Sequence, residues 1–200
     1  MNAKQAAAFK AVEYIKKGMV IGLGTGSTAY WAIQYLAERV KQGLQVTTVA
    51  TSAETEKIAL QCNIPVVSLD SVEYIDIDID GADEIDADMN LVKGGGGALL
   101  REKIVASASR AFIVIAGDSK RVEVLGKFPL PAEVIPFGWK HTARQLAALG
   151  CSTSLREKDA KIFITDNGNY IIDCHFGAIA EPAVLERQIN NIPGVVDNGL

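Results

Sequence analysis

The chain has 200 residues, of which 48% are hydrophobic and 22% charged, a composition typical of a globular protein and unlike that of a disordered or fibrous one. Its 20 basic and 24 acidic side chains give a formal net charge of −4, so we expect neither a nucleic acid nor a membrane surface as a partner. No apolar run approaches the roughly 18 residues of a membrane-spanning helix, and the first ten residues do not resemble a signal peptide. Three cysteines without a CxxC pair are typical of a reducing compartment and of a protein without structural zinc, so we expect a cytoplasmic location.

The first half of the chain alternates segments of two different periodicities. Apolar residues at helical spacing predict helices over residues 8–15, 29–40, 53–62 and 98–109. Short apolar or β-branched runs predict strands over residues 19–23, 45–50, 65–69, 74–80 and 111–116. Because strand and helix follow each other in turn, we predict an α/β fold whose mostly parallel sheet is covered by helices on both faces.

The pattern changes near Gly126. Prolines at positions 129, 131 and 136 punctuate what we interpret as a connection, and helices are predicted over residues 141–149 and 181–189. Runs at 161–165 and 170–176 flank an Asp-Asn-Gly-Asn sequence, which predicts a β-hairpin, and a further strand is predicted at 192–196. We therefore predict two domains, a larger α/β domain over residues 1–126 and a smaller α+β domain over residues 127–200.

A glycine-rich segment, GLGTGSTA, lies between the first predicted strand and the next predicted helix, at residues 22–29. Its glycines let the backbone approach an anion closely. The hydroxyls of Thr25, Ser27 and Thr28, together with Gly26 and the helix N-terminus, favour the binding of a phosphate. The alternative is a tight turn in which a Ser or Thr side chain only caps the helix.

The same segment satisfies the dinucleotide-binding fingerprint G-x-G-x-x-A at Gly24, Gly26 and Ala29. That fingerprint requires an acidic residue about 20 residues further on, at the end of the second strand, to bind a ribose. Here the second predicted strand continues into Thr-Ser-Ala, and the first acidic residue after it is Glu54. The segment also lacks the Gly-Lys-Ser/Thr ending of a P-loop, so we favour a simple phosphate site.

An acidic segment, DIDIDGADEID, covers residues 76–86. It begins like an EF-hand calcium loop, but the twelfth position, which needs a bidentate Glu, is Ala87. The alternating isoleucines are typical of a strand instead, so we do not expect a calcium site. Within that strand we interpret Asp76 and Asp78 as a solvated or paired face.

The end of this acidic segment carries a different prediction. Asp80 and Asp83, on either side of Gly81 and Ala82, lie at and just beyond the carboxyl end of the predicted strand. Open α/β sheets bind their ligands at this edge. Carboxylates there can accept hydrogen bonds from sugar hydroxyls or move protons between oxygens, so we predict a functional role for both.

A third segment, KGGGGALLREKI, covers residues 93–104. Four consecutive glycines, Gly94–Gly97, are unfavourable in backbone entropy, but their N–H groups can converge on a developing oxyanion at the start of the following helix. Lys93 adds a cation, and Glu102 lies about one turn into the helix. A flexible linker is the alternative, and taken alone Glu102 would be an ordinary solvent-facing helix residue.

The remaining candidates carry weaker signals. Lys120, in the sequence GDSK after a predicted strand, is either an ordinary surface lysine or a residue of the ligand-binding sheet edge. His141 and His175 show no metal-ligand spacing, and we interpret both as structural. Cys174 and His175 are neighbours in a predicted strand, so their side chains point to opposite faces and do not form a nucleophile–base pair.

Taken in order, the segments GLGTGSTA, TSAETE, DGADE, KGGGGALLREKI, GDSKRV and LGKFPLPAEVIP resemble ribose-5-phosphate isomerase, type A. The resemblance continues through TDNGN and NNIPGVV near the end of the sequence. It implies a Rossmann-like catalytic domain with a smaller α+β domain, and the interconversion of ribose 5-phosphate and ribulose 5-phosphate in the pentose phosphate pathway. It also implies that no metal or organic cofactor is needed, and that the protein forms a homodimer or homotetramer.

The resemblance also implies roles for individual residues. Glu102 matches the catalytic base of the family, and Lys93 with the glycine N–H groups would stabilise the enediolate. Asp80 or Asp83 would assist ring opening and hydroxyl proton transfer, and Thr28 and Lys120, with Ser27 in support, would bind the phosphate. The matched substrate-binding positions are Thr25, Gly26, Ser27, Thr28, Asp80, Gly81, Ala82, Asp83, Lys93, Gly94, Gly95, Gly96 and Lys120.

Two other functional classes are compatible with the same fold. A non-catalytic sugar-phosphate sensor would be expected to lack Glu102 or the Gly94–Gly97 run, and this sequence has both. A dinucleotide-dependent oxidoreductase is disfavoured by the missing ribose-binding acid. The family usually continues beyond the VVDNGL region with another strand, whereas this sequence ends at Leu200.

Overall fold

The computed structural model describes residues 2–200. Within these residues the helices are α1 (Ala3–Val12), α2 (Ser27–Lys41), α3 (Ala53–Gln61), α4 (Leu99–Ser107), α5 (Trp139–Ala147) and α6 (Pro182–Asn190). The strands are β1 (Val20–Leu23), β2 (Thr47–Ala50), β3 (Ile77–Asp80), β4 (Glu84–Ile85), β5 (Leu91–Val92), β6 (Phe112–Val114), β7 (Leu130–Val134), β8 (Ser152–Leu155), β9 (Glu157–Lys158), β10 (Lys161–Ile162), β11 (Tyr170–His175) and β12 (Val195–Asn198). None of the helices in this range has the length and apolar character needed to cross a membrane.

The chain forms two compact units that are not consecutive in sequence. The first unit contains the chain up to Gly81 together with Arg101–Asp118, and the second contains Ala82–Leu100 together with Ser119–Leu200. This grouping differs from the predicted division at residue 126, because the chain passes from one unit to the other three times.

The first unit is built on a parallel sheet with the strand order β2-β1-β3-β6. This confirms the predicted α/β architecture, including short apolar strands joined by helices. Ile21, Leu23 and Ile79 are buried in its main core, and Phe9 of α1 meets Tyr35 of α2 edge to face, with ring centroids 5.4 Å apart. Because β1 and β3 are parallel neighbours, with Leu23 opposite Ile79, their carboxyl ends lie side by side.

The aspartates of β3 are less exposed than a solvated strand face would be. Asp78 is fully buried, so the solvated interpretation is wrong for this residue. Strand β3 lies between β1 and β6, and helices cover the sheet, so alternation in the sequence does not leave one face in water. A side chain on Gly22 would come within 2.5 Å of the Asp78 carboxylate, which explains a glycine at this point of β1. Asp76 is paired, since its carboxylate accepts the Val20 N–H at 2.8 Å.

The strand predicted over residues 65–69 is only an isolated bridge between Thr48 and Val66, followed by a 3₁₀ turn at Leu69–Ser71. Proline at position 65 has no N–H to donate, and its carbonyl accepts both the N–H and the hydroxyl of Thr48, at 3.0 and 2.7 Å. The contact with the edge of β2 therefore does not extend into a ladder.

The second unit is built on an antiparallel sheet with the strand order β12-β7-β11-β8, together with α5 and α6. This confirms the predicted α+β character. The sequence pattern missed β7, because Pro131 argues against a strand in the middle of a sheet. Pro131 nevertheless lies opposite Asp173 of β11, and its carbonyl accepts the Gly199 N–H at 2.9 Å. The residues interpreted as a connection therefore form a central strand.

The predicted turn at residues 166–169 exists, but the predicted hairpin around it is wrong. The Thr165 N–H donates to the Asn169 carbonyl at 2.9 Å, and β11 then pairs with β7 and β8, whereas β10 pairs with β9. The turn side chains bind a buried acid on β7. Oε1 of Glu133 accepts the Thr165 hydroxyl at 2.9 Å and the side-chain amides of Asn167 and Asn169 at 3.1 and 2.8 Å. This shared acceptor fixes the turn on β7.

Replacing Glu133 by Ala removes the acceptor that these three side chains share. We expect the free energy of unfolding to fall by about 2–4 kcal/mol, because a buried donor left without an acceptor costs about 1–3 kcal/mol. Urea denaturation measures the change. In the control, Glu157→Ala on the exposed strand β9, we expect a change below about 0.5 kcal/mol. Equal midpoints for the two variants would contradict this account.

Candidate functional site

The loop between β1 and α2 contains the predicted phosphate segment. Gly26 is the N-cap residue of α2 and has a φ of 106°, a left-handed value that favours glycine. Ser27 is exposed and Thr28 is half-buried, so both lie where the first turn of the helix meets solvent. Exposed hydroxyls at a helix N-terminus suit an anion.

Thr25 has a different environment from the other hydroxyl residues of the loop. Its Oγ1 lies 2.8 Å from the hydroxyls of Thr51 and Ser52 and 3.2 Å from that of Thr55. Thr51 and Thr55 in turn donate to the carbonyls of β1 and its loop, at 3.0 and 2.9 Å. The Thr25 side chain therefore fixes the loop on the neighbouring β2–α3 connection.

Asp80 supports the same loop from β3. Its carboxylate is fully buried, and Oδ1 accepts the N–H groups of Thr25 at 3.0 Å and Gly81 at 2.6 Å. Gly24 lies directly against it, since a Cβ at that position would be 2.0 Å from Oδ1. Asp80 and the Thr25–Thr28 segment are thus brought together at the carboxyl edge of the parallel sheet, as the sequence predicts.

Lys4 is a residue of this group that sequence reasoning missed. Its Nζ donates to the Ser27 hydroxyl at 2.8 Å, which brings a cation from α1 to the start of α2. In the sequence, Lys4 precedes the first predicted helix, over residues 8–15, and belongs to none of the motifs. Only the structure, in which α1 begins at Ala3 and packs against α2, identifies it.

Glu102 lies in the first turn of α4, within the first unit. Its exposed fraction is 4%, so the alternative of an ordinary solvent-facing helix residue is wrong. A carboxylate kept from water in this way is unusual unless it has a function or a partner.

In the second unit, the glycine run forms a tight turn whose N–H groups are partly in use. The Gly97 N–H donates to the Gly94 carbonyl at 3.0 Å, and both residues have left-handed φ values, 85° and 96°. The Gly95 N–H donates to Oδ2 of Asp83 at 2.7 Å. Gly96 is exposed at the corner of the turn. The turn therefore has a fixed geometry and is not a flexible linker.

Lys93 and Lys120 also belong to the second unit. Lys93 precedes the turn, is half-buried, and donates its backbone N–H to the Gly199 carbonyl at 2.8 Å. Lys120 ends a 3₁₀ turn and is half-buried, with its Nζ 5.7 Å from the centre of the Phe128 ring. Asp83 and the glycine turn are in direct contact within this unit, whereas Ala82 is a half-buried connecting residue.

A second residue that the sequence reasoning missed is Glu84. It is buried, and its two carboxylate oxygens accept the N–H groups of Gly126 and Phe128, each at 2.6 Å. Glu84 follows Asp83 directly, so the segment that holds the glycine turn also holds the 126–128 loop. The DGADE sequence contained this residue, but nothing in its spacing indicated the partner.

Both histidines are exposed, and the cysteines at positions 62, 151 and 174 are free. Among residues 2–200, no group of three or more His, Cys, Asp and Glu side chains is arranged to hold a metal ion. His175 is exposed, with Nε2 3.2 Å from the Ser154 hydroxyl, and Cys174 beside it is fully buried. A hydrogen bond with Cys151, together with burial, raises the pKa of Cys174, so this thiol is not an activated nucleophile.

Comparison with known proteins gives one consistent result. Residues 47–200 match the family model of ribose 5-phosphate isomerase A (phosphoriboisomerase A). The chain is 54% identical over 201 residues to ribose-5-phosphate isomerase A of Bacillus mycoides, covering 100% of this chain and 91% of that protein. The structure of ribose 5-phosphate isomerase A from Methanocaldococcus jannaschii superposes with a TM-score of 0.95 at 46% identity, covering 98% and 89% of the two chains. A D-ribose-5-phosphate isomerase in complex with phospho-erythronic acid superposes with a TM-score of 0.96 at 43% identity, covering 100% and 90%.

Replacing Gly24 by Ala tests the contact between the loop and Asp80. The added methyl would lie 2.0 Å from Oδ1 of Asp80. Because overpacking typically lowers stability by this amount, we expect the free energy of unfolding to fall by about 1–3 kcal/mol. Urea denaturation is the measurement.

The matched control is Gly117→Ala in the same unit. A Cβ at Gly117 meets no atom within 4 Å, so we expect a change below about 0.5 kcal/mol. If the two variants unfold at the same urea concentration, Gly24 is not needed for the close approach to Asp80.

Proposed function

Since the chain belongs to the ribose 5-phosphate isomerase A family, we propose that Glu102 is the base of its reaction. The protein is an aldose–ketose isomerase that interconverts D-ribose 5-phosphate and D-ribulose 5-phosphate, a step of the pentose phosphate pathway. The observation that carries the assignment of the base is the burial of the Glu102 carboxylate in the first turn of α4, shortly after the glycine turn.

The reaction requires one weakly acidic proton to move between neighbouring carbons. A base removes the C2 proton of the open-chain aldose, an enediol(ate) forms, and the same proton carrier protonates C1 to give the ketose. One carboxylate can perform both steps. A site from which water is excluded protects the enediolate from side reactions, and the low exposure of Glu102 agrees with this role.

The oxygen that becomes negative in the intermediate needs donors that are already in place. We assign this role to the Lys93 side chain and to the glycine turn. Gly95 donates its N–H to Asp83, so Gly96, exposed at the corner of the turn, is the glycine best placed to donate to substrate. Gly94 contributes its left-handed conformation, which the turn requires.

The structure suggests different roles for the two aspartates. Asp80 is fully buried and bound to the N–H groups of Thr25 and Gly81, so we propose that it positions the loop. Asp83 is half-buried and binds Gly95 through Oδ2, which leaves it access to solvent. We therefore assign ring opening and the transfer of hydroxyl protons to Asp83.

The phosphate group has candidate ligands at the N-terminus of α2. Ser27 and Thr28 at the N-terminus of α2, with Lys4 at hydrogen-bond distance from Ser27, provide hydroxyl donors, backbone N–H groups and a cation. A cation beside hydroxyl and N–H donors favours a phosphate monoester over a neutral ligand. The family resemblance supports Lys120 as a further phosphate ligand.

We propose that the reaction uses no redox cofactor, because the isomerisation moves a proton without net oxidation or reduction of the substrate, and that Glu102 transfers this proton without a metal. We also propose that the enzyme is cytoplasmic and forms a homodimer or homotetramer. The three cysteines, all free in residues 2–200, support a reducing compartment. The family resemblance supports the assembly, as do exposed apolar side chains such as Phe137, whose exposed fraction is 89%.

The Glu102→Gln variant tests the base. Glutamine keeps the size of the side chain but cannot accept the proton, so we expect turnover of ribose 5-phosphate to fall by at least about 10³-fold while the sugar phosphate still binds. A coupled assay of ribulose 5-phosphate gives the rate, and equal rates are expected with and without EDTA. The control is Glu73→Gln, an exposed acid of the same unit, which should retain the parental rate. Near-normal turnover of Glu102→Gln would reject the assignment.

The Lys93→Met variant tests the oxyanion role. Removal of one such donor typically lowers kcat by about 10²–10³-fold, and we expect KM to change much less because the donor acts mainly in the transition state. Steady-state kinetics separates the two parameters. Lys127→Met, at an exposed lysine of the same unit, provides the control. A change confined to KM would place Lys93 on the ground-state substrate instead.

A further inference from the structure

Arg156 connects the glycine turn to the antiparallel sheet of the second unit. It follows β8 directly, and only 14% of its side chain is exposed. Its Nη1 donates to the carbonyl of Gly94 at 2.8 Å and to that of Gly95 at 3.2 Å. The other edge of the guanidinium binds Asp173 of β11, with Nε 2.9 Å from Oδ2 and Nη2 in contact with Oδ1. The proposed mechanism gives this arginine no role.

The two carbonyls held by Arg156 belong to the peptide planes that carry the N–H groups of Gly95 and Gly96. A trans peptide is planar, and its C=O and N–H point in opposite directions. Holding the carbonyls of Gly94 and Gly95 on the arginine side therefore directs the N–H groups of Gly95 and Gly96 to the other side. The contact of the Gly95 N–H with Asp83 agrees with this direction.

Without the contact from Arg156, nothing in the local sequence selects the orientation of the peptide between Gly95 and Gly96. The peptide between the two central residues of a β-turn can take either of two opposite orientations, which distinguish turn types I and II or their mirror images. Glycine at both central positions, here Gly95 and Gly96, removes the steric preference between them. An acceptor–donor contact at the Gly95 carbonyl is the simplest way to select one.

The arginine itself is firmly placed. Its backbone N–H donates to the Ile171 carbonyl and its carbonyl accepts the Phe163 N–H, each at 2.9 Å. The paired Asp173 carboxylate holds the guanidinium plane through two parallel hydrogen bonds, a geometry that lysine cannot reproduce. The Phe163 ring lies against the same turn, since a Cβ on Gly97 would be 2.4 Å from its Cζ.

We propose that Arg156 is a positioning residue for the isomerase reaction. It locks the 94–95 and 95–96 peptides of the glycine turn so that Gly95 holds Asp83 and Gly96 donates to the developing oxyanion. This inference rests on the proposed role of the glycine turn. It assigns to the Arg156–Asp173 pair an effect on the transition state, in addition to any effect on stability.

The test compares Arg156→Met with Arg144→Met, an exposed arginine on α5 of the same unit. For Arg156→Met we expect kcat to fall about 10²-fold, the effect of one lost oxyanion donor, with KM for ribose 5-phosphate within about twofold. The affinity for phospho-erythronic acid, whose planar carboxylate resembles the enediolate, should fall by a larger factor than the affinity for substrate. Arg144→Met should match the parent protein in all three measurements.

Two further variants keep the test informative if Arg156→Met is poorly folded. Asp173→Asn leaves the arginine in place but weakens the hydrogen bonds that fix the orientation of its guanidinium, so we expect a smaller loss of kcat than in Arg156→Met. Added guanidinium at tens of millimolar should restore part of the rate of Arg156→Ala. The same addition should not raise the rate of Glu102→Gln. NMR relaxation dispersion should reveal microsecond–millisecond exchange of the Gly95 and Gly96 amides in the Arg156 variants only.

The proposal is overturned if the rate per folded molecule of Arg156→Met equals that of the parent, or if kcat is unchanged and only the melting temperature falls. It is also overturned if the two glycine amides give the same exchange as in the parent protein. These outcomes are distinct from failure of the proposed function. If Glu102→Gln and Lys93→Met both keep normal turnover, the catalytic assignments fail whatever the Arg156 variants do.

Discussion

Carboxylates that accept backbone N–H groups determine the geometry of the loops on which the proposed mechanism depends. Three acids of the stretch 80–84 act in this way: Asp80 holds Thr25 and Gly81, Asp83 holds Gly95, and Glu84 holds Gly126 and Phe128. An ionised acceptor makes stronger hydrogen bonds than a neutral one, so a loop that has little packing of its own can still be well ordered. This explains why the glycine-rich segments have a fixed geometry.

Glycine and carboxylate are two parts of the same arrangement. A Cβ on Gly24 would be 2.0 Å from a carboxylate oxygen of Asp80. A Cβ on Gly95 would be 2.7 Å from a carboxylate oxygen of Asp83. The absence of a side chain is what allows the carboxylate to reach the backbone. On the opposite side of the glycine turn, Arg156 holds the carbonyls, so the turn is fixed from both sides of its peptide planes.

Sequence reasoning located the loops better than it described their environments. Periodicity predicted β1, α2 and β3, and glycine and acid spacing indicated residues 25–28, 80–83 and 93–96. It missed Lys4, Glu84 and Arg156, because each acts on a partner that is at least 23 residues away in sequence. It also missed β7, where Pro131 lies in a strand paired on both sides, since the proline rule describes isolated preferences and not the sheet that forms around them.

By itself, the sequence determined the alternation of strands and helices, the family resemblance and the residue types available for proton transfer, because these depend on local spacing along the chain. The tertiary structure alone decided which oxygens and N–H groups form hydrogen bonds, and that Asp78, Asp80 and Glu102 are shielded from water. It also decided that the Thr25 side chain binds the neighbouring connection while Ser27 remains exposed. Hydrogen bonds and burial are set by partners distant in sequence, and no local pattern records the direction in which a peptide plane points.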